Sequence, residues 1–177
     1  MMKKMNNTIF TKKEEIEILH FLEKLSLQYG NLLERYQKKV SRLKINYKLA
    51  QGVASDADYH SEKLIIKSLK RKFPTHAILA EESAYTKFKN IKTAFNFVKK
   101  EEYTWIVDPL DGTTNYLNNF DYYCVCICLA RFAIPYIGVV YRPSTGEFFY
   151  SIKGKGAYVT NLKTKSKAKK ILHTEVC

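Results

Sequence analysis

Four apolar segments follow one another at residues 122–132, 134–142, 146–151 and 156–160, and this run constrains the fold more than any other part of the chain. Turn residues at Pro143-Ser144-Thr145-Gly146 and Lys153-Gly154-Lys155-Gly156 separate the later ones. Segments joined so briefly can pair only with their neighbours in opposite directions, which predicts an antiparallel meander.

Helical patterns precede it. From Lys12 to about Lys38 the apolar positions Ile16, Ile18, Leu19, Leu22, Leu25, Leu27, Leu32 and Leu33 recur at helical spacing, with Gly30 as a weak spot. Asp58 to Lys72 alternates apolar and charged positions helically and ends before Pro74. Residues 44–57 between them read as a loop with some extended character, and 77–80 as a short strand. Phe88, Ile91, Phe95 and Val98 place a surface helix or lid over 84–102. Two long helices followed by an antiparallel sheet give an α+β layer fold. Residues 1–10 read as a flexible leader and 11–177 as one domain, with no internal repeat.

Bulk properties narrow the function classes. A chain of 177 residues with 46% hydrophobic content can bury a real core. No run of about 18 apolar residues marks a membrane span, and Met1 to Thr8 leads into no signal-type apolar stretch, so a cytoplasmic location is expected. The net charge of +13 invites a nucleic-acid reading, but lysines outnumber arginines 25 to 5 and are scattered, with one dense run at Lys163, Lys165, Lys167, Lys169 and Lys170. Base and phosphate recognition leans on the bidentate geometry of arginine, so no specific nucleic-acid partner is expected. Such charge can still draw in anionic substrates. Cys124, Cys126 and Cys128 alternate along a strand and share one face; their spacing lacks the paired form of common zinc sites, and small reduced core residues are the expectation. His60, His76 and His173 show no partner spacing and read as surface or satisfied polar residues, and His20 as structural.

The chemistry lies in Trp105-Ile-Val-Asp-Pro-Leu-Asp-Gly-Thr-Thr-Asn-Tyr116. Trp105, Ile106 and Val107 suit a buried strand that ends at Asp108, the residue before Pro109. Gly112 permits a tight turn, and Thr113 is placed to cap a short helix. Two carboxylates at a strand end facing a helix start suit a hard divalent cation beside phosphate. A turn cap is the bland alternative for Asp108 and Asp111.

Asp108 to Thr113 resembles the Asp-Pro-x-Asp-Gly-Thr signature of the inositol monophosphatase family of magnesium-dependent, lithium-sensitive phosphatases. Ile78-Leu79-Ala80-Glu81-Glu82-Ser83 resembles the strand and Glu-Glu pair of that family, and Val53-Ala54-Ser55-Asp56-Ala57-Asp58 with Glu62 its second-helix opening. Gly138-Val139-Val140-Tyr141 and Gly154-Lys155-Gly156-Ala157 look like its later strands and Gly-rich turn. The resemblance implies helices packed on a mainly antiparallel, about six-stranded sheet, and Mg2+ as cofactor. It implies Glu81, Asp108, Asp111 and the Leu110 carbonyl as metal ligands, with Asp58 supporting a weaker outer ion. Glu81 and the Thr113 hydroxyl would orient the attacking water, and the Gly112 and Thr113 amides would hold phosphate. Asp58 read alone is equally a helix N-cap, Glu81 read alone a surface residue, and Glu82 stays open.

The family's second half, with a Trp-Asp-x-Ala-Ala-Gly-like motif, has no counterpart here, since Trp105 is the sole tryptophan. The expectation is therefore an N-terminal domain without the C-terminal α/β domain, acting on a small phosphorylated substrate, most simply inositol monophosphate. A homodimer or a complementing C-terminal half would be its partner. A non-catalytic remnant or regulatory domain remains open, as does a 3'-phosphoadenosine-5'-phosphate or sugar-bisphosphate phosphatase.

Overall fold

The computed structural model describes residues 10–39, 45–48, 52–88 and 90–171. The leader at 1–9, His173 and the last residues of the chain lie outside them. Helix α1, Lys12–Gln37, opens on a capping box in which the Thr11 hydroxyl accepts from the Glu14 amide and Glu14 reaches back to the Thr11 amide. Strands β1, Ile45–Lys48, and β2, Gly52–Ser55, pair antiparallel and lead into helix α2, Asp56–Lys72. Strand β3, Ala77–Ala80, is followed by the short helix α3, Glu81–Lys87, and by α4, Ile91–Lys100. The region read as one helix or lid is thus two helices, because Asn90 starts a fresh capping box with Thr93.

Strand β4, Tyr103–Asp111, runs past Pro109 rather than ending at Asp108, and helix α5, Thr113–Leu117, follows. The meander then comprises β5, Cys124–Arg131; β6, Ile134–Arg142; β7, Glu147–Ile152; and β8, Gly156–Asn161. A short β9, Lys169–Ile171, pairs antiparallel with β8 and makes the sheet seven-stranded, one more than expected. The lysine run ends in this edge strand, which includes Lys169 and Lys170. Sheet order is β3-β4-β5-β6-β7-β8-β9, antiparallel throughout except for the parallel pair β3–β4.

Helices α1 and α2 cover one face. Leu22, Leu25, Tyr29 and Leu33 of α1 and Ile65 and Leu69 of α2 join Trp105, Val125, Ile127, Leu129, Ile137, Tyr141 and Phe148 in one core. Gly30, which looked weak, is required: a Cβ there would stand 2.6 Å from a ring carbon of Tyr141. Glu15, 2% exposed, is held by the Tyr136 hydroxyl at 2.6 Å and by Lys155, so a buried acid ties α1 to the β7–β8 turn. No described helix is long and apolar enough to cross a membrane.

Candidate active site

Strands β3 and β4 run parallel with Ala80 opposite Val107. The next residues are Glu81, where β3 gives way to α3, and Asp108, within β4, so the two lie side by side. The Glu81 side chain interacts with the Asp108 carboxyl and works against the effect of burial on it.

Asp111 reaches the same place by an irregularity. On a regular strand, residues three apart point to opposite faces. Here Asp108 pairs with Cys126 and Asp111 with Cys124, so β4 takes three steps where β5 takes two. That bulge turns Asp111 to the face of Asp108. Pro109 fits within it because it has no N–H to leave unpaired, and its carbonyl accepts from the buried Ser61 hydroxyl at 3.1 Å. The Leu110 amide donates to Asp108 Oδ1 at 3.1 Å.

Burial pushes the Asp108 carboxyl above its usual range; the Leu110 amide opposes this, and the negative charges of Asp111 and Asp58 add to it. Like charges gathered at a strand end in this way are what a cation relieves. Carboxylates such as Glu81, Asp108 and Asp111 offer hard oxygens, the donor type that suits magnesium better than a softer ion. No three of these carboxylates bring oxygens mutually within 4.8 Å, so the set is wider than the shell of one ion.

Asp58 is 1% exposed and sits in the third position of α2. Its Oδ2 accepts from the Ser55 amide at 2.9 Å and the Ser55 hydroxyl at 2.6 Å, so Ser55 is the cap and Asp58 closes the box. Its Oδ1 lies 3.0 Å from the Thr113 hydroxyl, which is also 2.9 Å from the Leu110 carbonyl. Thr113 is therefore the first residue of α5 and not its cap. The cap is Gly112, at φ +85°, where a Cβ would stand 2.7 Å from the Tyr122 carbonyl oxygen. Tyr116 secures α5 by donating to the Leu33 carbonyl of α1 at 2.6 Å.

Glu62 has a part that sequence reasoning did not assign. Its carboxylate accepts from the Glu82 amide at 2.6 Å and the Ser83 amide at 3.0 Å, fixing the first turn of α3, which opens with Glu81. The available signal was indirect: Ala80 precedes α3 and supplies no side-chain cap, so the acceptor must come from elsewhere. An apolar cleft lined by Leu79, Ala84, Phe88, Ile91 and Ile106 opens beside Glu81 and Asp108.

With this acid set at the junction of β3, β4 and α5, the inositol monophosphatase family matches the chain over residues 14–177. The chain belongs to the inositol monophosphatase family. A protein named Nus factor SuhB from Xylella fastidiosa is 34% identical over 155 residues, covering 88% of this chain and 52% of that protein. Inositol monophosphatase 1 of Solanum lycopersicum is 40% identical over 129 residues, 70% of this chain and 45% of that one. Among solved structures, an IMPase from Thermotoga maritima superposes with a TM-score of 0.71 over 90% of this chain and 55% of the other; at 23% identity it bears on the fold alone. The chain spans about half the length of the curated relatives it matches.

Against this family framework two expectations change. Cys124, Cys126 and Cys128 do share a face, but it is the one opposite the helices, where they are only partly buried; Val125, Ile127 and Leu129 take the core face instead. His20 is exposed on α1 and pairs with Glu23 one turn on, at 3.0 Å. His60 accords with its expectation, its Nδ1 lying 2.6 Å from the Asp56 carbonyl. His76 stacks on Phe73 and Tyr103 with Nδ1 buried and unpartnered, so its expected satisfaction fails, and burial lowers its pKa.

Proposed function

We propose that this chain carries the metal-holding and water-orienting part of a phosphomonoesterase site, acting on a small anionic phosphate ester of the inositol monophosphate type. The observation that carries it is the convergence of Glu81, Asp108 and Asp111, produced by the β3–β4 register and the β4 bulge. Hydrolysis of phosphate monoesters needs accelerations that approach about 10²¹-fold, more than positioned side chains alone supply.

Glu81, Asp108, Asp111 and the Leu110 carbonyl would hold Mg2+, with Asp58 supporting an outer ion from behind Thr113. Bound there, magnesium would supply an activated water and neutralise charge on the leaving oxygen. The chain's own groups do the rest. Glu81, fixed by the Glu62-capped start of α3, orients the attacking water and accepts its proton. The Thr113 hydroxyl, placed between Asp58 and the Leu110 carbonyl, positions that water from the other side. The Gly112 and Thr113 amides face the phosphate at the start of α5.

The test is magnesium-dependent phosphate release from inositol 1-phosphate, with Asp111→Asn as control. Release that the substitution abolishes supports the reading. Release that is indifferent to magnesium and to Asp111 sinks it. If the chain is silent alone but turns over when a C-terminal half from a relative is added, the complementing-half form of the proposal is the correct one.

A second reading has its own observation. The likeness to a protein named as a Nus factor, together with the net charge of +13, favours a non-catalytic binding role. Filter binding of RNA at about 150 mM salt separates the two, because purely electrostatic association falls steeply as counterions compete.

A further inference from the structure

Sulfur stands where magnesium chemistry has no use for it. Strand β5 projects Cys124 and Cys126 from the face of the sheet that α1 and α2 leave uncovered, and the β4 bulge sets Asp111 opposite Cys124. The Cys124 Sγ lies 3.9 Å from the Cys126 Sγ and 3.6 Å from Asp111 Oδ2. All three ligand atoms fall within 4.8 Å of one another, the one such group among the described residues.

Those separations can be set against an ion's own geometry. In a tetrahedral zinc shell with metal–sulfur and metal–oxygen distances of about 2.3 and 2.0 Å, adjacent sulfurs stand about 3.8 Å apart and sulfur and oxygen about 3.5 Å apart. Two of the three edges lie close to these values, and the third, Cys126 to Asp111, is within 4.8 Å. The donor set also selects the ion. Two thiolates and one carboxylate suit zinc, cobalt(II) or cadmium and disfavour magnesium. Asp111 is exposed and the two thiols are half-buried, so an ion has a way in and a fourth position stays open.

The obvious alternative for two neighbouring thiols, a disulfide, fits poorly. Residues two apart on one strand have Cα atoms about 6.6 Å apart, at the outer limit for a bridge. Cys128 lies a further two residues along β5, between Ile106 and Gly138, with no carboxylate opposite it.

We propose that Cys124, Cys126 and Asp111 form a binding site for a thiophilic divalent cation of the zinc class. On binding, two S–H bonds give way to two metal–sulfur bonds, and both protons pass to solvent. Asp111 cannot serve this ion and magnesium together, so occupancy removes one magnesium ligand; that consequence alone rests on the phosphatase reading. The three cysteines are then not equivalent, and the sheet face beside the acid set senses soft metals.

The experiment is a titration of the reduced chain with cobalt(II), read by sulfur-to-metal charge-transfer absorption and by proton release. One equivalent should bind, should be displaced by zinc, and should persist in millimolar magnesium. Cys124→Ser and Cys126→Ser should each abolish the band and weaken zinc binding by at least about 10–100-fold, the cost of disturbing even a supporting group. Cys128→Ser should leave both unchanged. Far-ultraviolet circular dichroism confirms that each variant is folded, and the wild-type proton release stands without any variant. A folded wild type with no band, or a band that survives both serine substitutions, overturns the proposal. Turnover enters nowhere, so a chain without phosphatase activity leaves this readout intact.

Discussion

The Thr113 hydroxyl lies 3.0 Å from the buried carboxylate of Asp58, across 55 positions of the chain. One acid thereby closes the capping box of α2 through Ser55 and holds the first residue of α5, the helix that follows the Asp108–Asp111 segment. Asp58→Ala removes both functions and leaves the Ser55 amide unpaired. The expected loss is about 1–3 kcal/mol of unfolding free energy. Urea denaturation of the metal-free chain measures it, and a midpoint unchanged from wild type would show that the contact does not hold.

Gly30 tests packing against propensity. Alanine in an exposed helix should gain nearly 1 kcal/mol over glycine. Here the added methyl meets the fully buried Tyr141 ring, which has no room to retreat. Gly30→Ala is therefore expected to destabilise by about 1–3 kcal/mol, the range for overpacked cores. A rise in melting temperature would contradict the α1–β6 contact.

Glu15 and Lys155 are unequal partners. Glu15 is 2% exposed whereas the Lys155 side chain is 44% exposed. Removing the lysine strands a buried charge on the Tyr136 hydroxyl alone, while removing the acid frees a lysine that can turn to water. Lys155→Met should thus cost more than Glu15→Leu, and the double variant less than Lys155→Met. A double-mutant cycle by chemical denaturation checks the order.

The pH dependence has a definite sign. Burial is the largest cause holding Asp58 and Glu62 above their ordinary carboxylate values of 3.8 and 4.5, despite bonds that oppose it. Each group binds its proton more readily folded than unfolded. Its stabilising contribution is complete below the ordinary value and is lost as pH rises through the folded one. Metal-free protein should therefore lose stability from these groups as pH rises above the ordinary carboxylate values of 3.8 and 4.5. Glu62→Gln should flatten that slope in thermal melts, each 1 kcal/mol corresponding to about 2–4 °C at this size. An unchanged slope would remove Glu62 from the account.

Much of this architecture is legible along the chain because it depends on local pattern. The apolar spacing from Ile16 to Leu33, the alternation after Asp58 and the four segments from 122 to 160 each report a period that the backbone enforces within a few residues. The ordered motifs at Asp58, Glu81 and Asp108–Thr113 likewise announce the family before any contact is known. Direction in space is another matter. Alternation shows that Cys124, Cys126 and Cys128 share a face; which face depends on where α1 and α2 dock. Residues three apart on a strand should diverge, and only pairing with β5 creates the bulge that brings Asp111 round to Asp108. Glu81 meets Asp108 through the parallel register of β3 on β4, Gly30 is required by a ring on β6, and Glu62 caps a helix that begins 19 residues later. Each of these depends on a partner distant in sequence, and side-chain direction is set by that partner's register and packing, which local periodicity does not encode.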